Sequence, residues 1–191
     1  MNEIEPLRVA ILIGSTRQGR FAPVVANWFS GYIKTRKDVV PDVIDLADTA
    51  LPDGLSKSHE PAVEALRPRL AAADAFVVIT PEYNHSFPAP LKTAIDWYSK
   101  EWQAKPVAFV SYGGNAGGLR AVEQLRQVFA ELHAVTVRNA VGFAGAWELF
   151  NGTGHLHHPE RHEKVASAML DQLAWWGQVL KEGRSTRPYP T

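Results

Sequence analysis

The sequence predicts an α/β fold: a doubly wound, five-stranded parallel sheet of order 2-1-3-4-5, with helices on both faces. Three observations predict it. Apolar runs of strand length alternate with segments of helical period along the chain. Residues 9–13, 75–80 and 106–110 are almost continuously apolar, as strands covered on both sides must be. The most unusual segments, rich in glycine, proline and hydroxyl groups, follow the first, third and fourth of these strands. In this strand order they meet at the crevice outside the carboxyl ends of the strands, where such sheets bind ligands.

Taken in order, residues 9–13 give the first strand. Phe21, Val24, Val25, Trp28, Phe29, Tyr32 and Ile33 recur at helical spacing and give the first helix. Residues 39–46 form a second strand, placed at an edge by Pro41, which has no N–H for a ladder. A helix follows from about residue 60, with Ser58 as its cap, Pro61 in its first turn and Pro68 expected to kink or break it. After the third strand, residues 81–90 are too rich in proline to be helical. Leu91, Ala94, Ile95 and Tyr98 mark a short helix. Residues 106–110 give the fourth strand, 111–118 a glycine-rich loop, and Leu119, Val122, Leu125, Phe129 and Leu132 the next helix. A short fifth strand is expected at 134–137 and a loop insertion at 139–159. Val165, Met169, Leu173, Trp176 and Leu180 line a last helix. Residues 1–182 are expected to form one domain and 183–191 a flexible tail.

At 191 residues the chain can bury a full core. Lysine plus arginine equals aspartate plus glutamate at 20 each, which gives no electrostatic case for nucleic acid or an anionic membrane as partner. There is no cysteine, which excludes disulfides, thiolate catalysis and cysteine metal sites. No apolar run approaches the ~20 residues of a membrane span. Residues 1–5 are acidic and lack a signal-peptide core, so a cytoplasmic location is expected.

The first loop, Gly14-Ser15-Thr16-Arg17-Gln18-Gly19-Arg20, lies between a strand's carboxyl end and a helix's amino end. Free amides and the helix dipole favour an anion there, and two hydroxyls and two guanidiniums suit phosphate. Several chemistries fail residue by residue. A P-loop needs Lys then Ser or Thr after Gly19, where Arg20 and Phe21 stand. The G-x-G-x-x-G fingerprint is absent. A cysteine phosphatase has no nucleophile, a phospho-acceptor domain would need an aspartate where Thr80 and Pro81 stand, and Ser15 lies in no G-x-S-x-G frame. A phosphate at the first loop remains, with something flat between the second and third. Tyr83, Phe87 and Tyr112 can flank a planar ring, and Asn84 offers donor and acceptor to a heterocycle edge. A mononucleotide with a large aromatic base fits, and FMN fits best.

The motifs resemble those of the NADPH-dependent FMN reductase family, of flavodoxin-like fold, over roughly residues 8–180. Gly14-Ser15-Thr16-Arg17 with Arg20 is similar to its G-S-x-R phosphate loop. Residues 81–97, PEYNHSFPAPLKTAIDW, follow its P-E-Y-N-x-S-x-P-x-x-L-K-N-A-I-D-W signature and depart at Thr93. Tyr112-Gly113-Gly114 and Gly117-Gly118 match its third loop. The resemblance implies that Ser15, Arg17 and Arg20, within the loop 14–20, hold the FMN phosphate. It implies that Pro81, Glu82, Tyr83 and Asn84 line the ring and ribityl chain, and that Ser111, Tyr112, Gly113 and Gly114 close the other side. It further implies hydride transfer from NADPH, with NADH possible, through FMN to a small-molecule acceptor: a quinone, free flavin, azo compound or metal oxyanion. A homodimer or dimer of dimers is implied too. The chemistry is the cofactor's, so no catalytic side chain is assigned. The alternative is a flavin-binding electron carrier or redox sensor without nicotinamide turnover.

His155, His157, His158 and His162 read as polar surface with no metal assigned. Asp96, Trp97 and Trp102 read as packing or a subunit contact, and Lys34, Arg36 and Lys37 as a solvated helix end. One helix cannot bury both Trp175 and Trp176 on one face, so one of them is a candidate subunit contact.

Overall fold

A computed structural model describes residues 5–56 and 58–190. Its five strands are β1 (Leu7–Ile13), β2 (Val39–Asp45), β3 (Ala75–Pro81), β4 (Pro106–Gly113) and β5 (Val135–Ala144). They form one sheet of order β2-β1-β3-β4-β5, parallel throughout. β3 and β4 are buried along their whole length, which explains their unbroken apolar runs. Pro41 lies on edge strand β2, opposite Val9.

Helices α1 (Ala22–Ile33) and α6 (Glu160–Thr186) cover one face, and α2 (Pro61–Ala72), α3 (Ala89–Trp97) and α4 (Leu119–Glu131) the other. Two cores result. Beneath α1 and α6 lie Val25, Phe29, Phe143, Met169 and Leu173. Beneath α2, α3 and α4 lie Leu66, Leu70, Phe76, Ile95, Trp102 and Phe129. Trp102 is fully buried, and its indole N–H donates to the carbonyls of Ile95 and Tyr98. It is a packing residue.

Several expectations are corrected. Helix α2 runs through Pro68 without a break; the ring lies on the exposed side, where water can serve the carbonyl that loses its donor. Its cap is Glu60, not Ser58, and Ser56 donates to the Glu60 carboxylate. Strand β5 runs over 10 residues rather than the four of 134–137, and it carries a bulge: Thr136 pairs with Val107, and the next pair is Ala140 with Phe109. The skipped residues break the alternation that would reveal a strand. Arg126 takes the carbonyls of Val137 and Arg138, which lie in that stretch. A four-residue helix α5 (Ala146–Leu149) follows β5. Arg36 is no solvated end but an ion-paired link to Asp38 and, on α6, Asp171. Trp176 faces outward with Trp175; Gly177 takes the inward position and packs on Leu7. His162 is not polar surface either: it stacks on Phe143 at 4.6 Å. Helix α6 continues past residue 182 to Thr186, and Arg184 donates to the Ala104 carbonyl.

Candidate active site

The carboxyl ends of β1, β3 and β4 carry the three loops, and the sheet register brings them together. The loop after β1 is tied to β3 at its first residue, where the Gly14 N–H donates to the Ile79 carbonyl at 2.8 Å. It closes through a turn in which the Arg20 N–H donates to the Arg17 carbonyl. Gly19 has φ +68° in that turn, a conformation that costs other residues. Among the described residues, the N–H groups of Ser15, Thr16, Arg17, Gln18 and Gly19 find no acceptor. Helix α1 begins just beyond, with no side chain among the described residues capping it. Five donors without a partner among the described residues therefore lie just before a helix N-terminus.

The two arginines of this loop differ. Arg17 is exposed, and no ion pair among the described residues engages its guanidinium. Arg20 is locked in a two-pronged pair with Asp45, at 2.7 and 2.6 Å, and also donates to the Ser15 carbonyl. The expected pair of phosphate-gripping guanidiniums is thus one free cation and one already engaged. Ser15 is fully buried, and its hydroxyl lies 2.8 Å from the Tyr83 hydroxyl, joining the first loop to the second. Thr16 turns toward a neighbouring cavity of about 220 Å³, lined also by Leu46, Thr49, Asp53, Pro90 and Thr93.

The second loop starts where Pro81 pairs with Tyr112 at the end of β3. Tyr83 and Ser86 exchange two backbone hydrogen bonds, at 2.8 and 2.9 Å. The two residues between them, Asn84 (φ +50°) and His85 (φ +67°), are both left-handed, as a tight hairpin turn of the I′ kind requires. Without a glycine there the turn needs support, and α4 supplies it. Gln124 donates to the His85 carbonyl at 2.8 Å and accepts from the Ser86 hydroxyl at 2.6 Å. The Glu82 carboxylate pairs with the Arg120 guanidinium at 2.7 Å and accepts from the Arg120 N–H. Glu82 is therefore turned toward α4, while Asn84 is exposed.

The third loop leaves β4 at Gly113. The Gly114 carbonyl accepts from the N–H groups of Gly117 and Gly145, which joins this loop to the segment after β5. Ser111 is buried, and its hydroxyl donates to the Gly117 carbonyl. Its hydroxyl thereby supports the loop. Gly118 has φ +87°, and a Cβ there would lie 2.5 Å from that of Ser111. Tyr112 points below the first loop, with its ring 6.1 Å from Phe21. It is 4% exposed, and among the described residues its hydroxyl has no hydrogen-bond partner. Burial, with Tyr83 adding to it, pushes the Tyr112 phenol well above its ordinary range, so it stays protonated.

The profile that describes NADPH-dependent FMN reductases matches residues 7–148. The chain belongs to that family. Probable NADPH:quinone oxidoreductase 2 of Oryza sativa subsp. japonica is 34% identical over 188 residues, 88% of each chain. A quinone reductase of Escherichia coli strain K12 is 36% identical over 190 residues, 94% of this chain and 95% of its own. The solved structure of FerB, a flavoenzyme NAD(P)H:(acceptor) oxidoreductase from Paracoccus denitrificans, has a TM-score of 0.72. That match covers 91% of this chain and 98% of FerB at 22% identity, a likeness of fold. As a member of the FMN reductase family, the chain is an oxidoreductase that uses FMN and NAD(P)H.

The donor set fits FMN. A phosphate needs several free N–H groups and a cation, and among the described residues loop 14–20 offers both. The Tyr112 hydroxyl, near Ser15, is a further buried polar atom without a hydrogen-bond partner among the described residues. Sequence reasoning did not anticipate Asp45, Arg120, Gln124 or the Gly145 tie. Asp45 had one legible sign, a carboxylate at the end of a strand. The others act across elements and leave no local pattern. No helix among the described residues is long and apolar enough to cross a membrane, and no group of three metal-ligating side chains is found among them.

Proposed function

We propose that this chain binds FMN across the three loops and passes a hydride from NAD(P)H to a quinone-type acceptor. The observation that carries the proposal is the row of unengaged amides from Ser15 to Gly19, with Arg17, at the divergence of β1 and β3. When bound, FMN supplies the hydride acceptance and donation. The protein's part is binding, orientation and electrostatics. Arg17 and the amides of Ser15, Thr16, Gln18 and Gly19 take the phosphate, and Gly14 ties the loop to the sheet. The turn at Tyr83, Asn84 and His85, held from behind by Gln124, presents backbone and the Asn84 amide to the ring edge. Pro81 and Glu82 set where that turn begins. Gly113 and Gly114 let the third loop approach the ring closely. Tyr112 holds its proton at Oη and adds a neutral donor. No side-chain acid or base is assigned, because positioning and charge complementarity account for the protein's share.

The acceptor class is supported by the names of relatives that match along most of their length, the quinone oxidoreductases of rice and Escherichia coli. A homodimer or dimer of dimers is part of the proposal, with the outward Trp175, Trp176 and Val179 of α6 as its apolar surface; light scattering measures it. The decisive experiment is anaerobic stopped-flow. Apoprotein loaded with FMN should absorb near ~450 nm, bleach on mixing with NADPH or NADH, and recover on mixing with a quinone. Bound flavin that no nicotinamide bleaches would support the carrier reading instead. Absence of flavin binding would end both.

A further inference from the structure

We infer that Arg20 is a positioning residue rather than a phosphate ligand, and that Asp45 is its working partner: their ion pair holds the first loop in the arc that presents its amides and Arg17. The inference rests on the proposed phosphate seat in that loop. Arg20 anchors the loop at two points. Its backbone N–H donates to the Arg17 carbonyl at 3.1 Å, and its guanidinium donates to the Ser15 carbonyl. Both carbonyls are thereby engaged within the loop, while the N–H groups of residues 15–19 have no partner among the described residues. The guanidinium is held in turn by Asp45, with Nη1 donating to Oδ1 and Nη2 to Oδ2. Three of its five N–H donors are engaged.

Asp45 is itself fixed. It ends β2 in register with Ile13, the residue before Gly14, so the sheet delivers its carboxylate beside the loop. Its Oδ1 also accepts from the Ala47 N–H at 3.1 Å, capping the turn Leu46–Asp48. The two side chains are only 16% and 19% exposed. For Arg20 to reach a phosphate it would have to leave Asp45, stranding a half-buried carboxylate next to a dianion, and both changes are unfavourable. Left in place, the pair is neutral and the phosphate charge falls to Arg17, the amides and the α1 dipole. The two arginines of the motif therefore divide the work: Arg17 gives charge and Arg20 gives shape.

Titration of the apoprotein with FMN and with riboflavin, which lacks the phosphate, tests this division. Three variants are compared with the unaltered chain: Arg20→Lys, Arg20→Gln and the double Arg20→Gln/Asp45→Asn. Arg20→Gln should weaken FMN about tenfold or more, with riboflavin within about twofold. The double variant strands no charge but also lacks the fork and the bond to the Ser15 carbonyl, so FMN affinity should stay about tenfold below the unaltered chain. Arg20→Lys keeps the charge and loses the fork, and FMN affinity should fall about tenfold. A double variant that binds FMN as the unaltered chain does would overturn the inference, because the loop would then keep its arc without the guanidinium. Arg20→Lys binding FMN as the unaltered chain does would overturn it too, and decides the matter if Arg20→Gln does not fold. An unaltered chain that binds riboflavin as tightly as FMN would remove the phosphate seat first, and this inference with it.

Discussion

Arg17→Ala separates the phosphate end of the site from the ring end. Arg17 is exposed and unpaired among the described residues, so its removal strands no partner, and the melting temperature should stay within about a degree. Its cost falls on the ligand alone. A charge-assisted hydrogen bond contributes ~1.5–3 kcal/mol. At about 1.4 kcal/mol per decade, FMN should bind about 10- to 150-fold more weakly. The α1 dipole, at ~0.3–1 kcal/mol, is too small to compensate, and Arg20 is held by Asp45. Quenching of flavin fluorescence at low ionic strength measures the effect. Riboflavin provides the internal control and should bind as before. The loss should also shrink as salt is raised, since Arg17 is screened and the amides are not charged. Unchanged FMN affinity would refute the reasoning. So would an equal loss for riboflavin, which would place Arg17 at the ring.

Three further outcomes are expected. Gln124→Ala removes two bonds to the second loop, so FMN and riboflavin should weaken together, by a few-fold to about tenfold; the same titration shows it, and a loss confined to FMN would contradict it. Gly118→Ala forces a Cβ against Ser111 in a left-handed backbone, and should destabilise the chain by about 1–3 kcal/mol in urea denaturation. Lys105 is buried, donates to the carbonyls of Leu70 and Ala71, and has its pKa lowered to about 8, chiefly by burial and then by Arg184. The folded chain therefore releases that proton before the unfolded chain does, so stability should rise between about pH 8 and pH 10, by at most about 3 kcal/mol, and Lys105→Met should flatten that limb of a pH-resolved denaturation series.

The architecture was legible because its signals are local. An apolar run such as residues 75–80 has only one kind of place in an α/β protein, a strand covered on both faces. Pro41 could be placed at an edge from the chemistry of its missing N–H. What was misread also has a local cause. The bulge in β5 offsets the alternation by the residues it skips, so Arg138 and Asn139 look like a loop. Pro68 looks like a breaker because sequence alone does not say that its ring points to water. Trp176 fits the helical stripe by spacing, but Gly177 takes the core position because Leu7 already fills the space beside it.

The site divides along the same line. The three loops could be assembled from the sequence, because strand order decides which loops meet. Which side chains within them are free could not, because that depends on partners far along the chain. Arg17 and Arg20 are equal in a motif. They become different only when β2 brings Asp45 alongside β1, 25 residues after Arg20. Ser111 and Glu82 show the same effect. Each stands in a motif expected to touch the ligand, and each is engaged elsewhere, Ser111 by Gly117 and Glu82 by Arg120. A motif thus records that a residue type is needed at a position, while the fold decides whether it acts on the ligand or on the loop. For this chain the consequence is specific. Subtract the engaged groups, and the phosphate is left to one arginine and a row of amides, so its affinity for FMN should hinge on residue 17 far more than on the cation count of its loop.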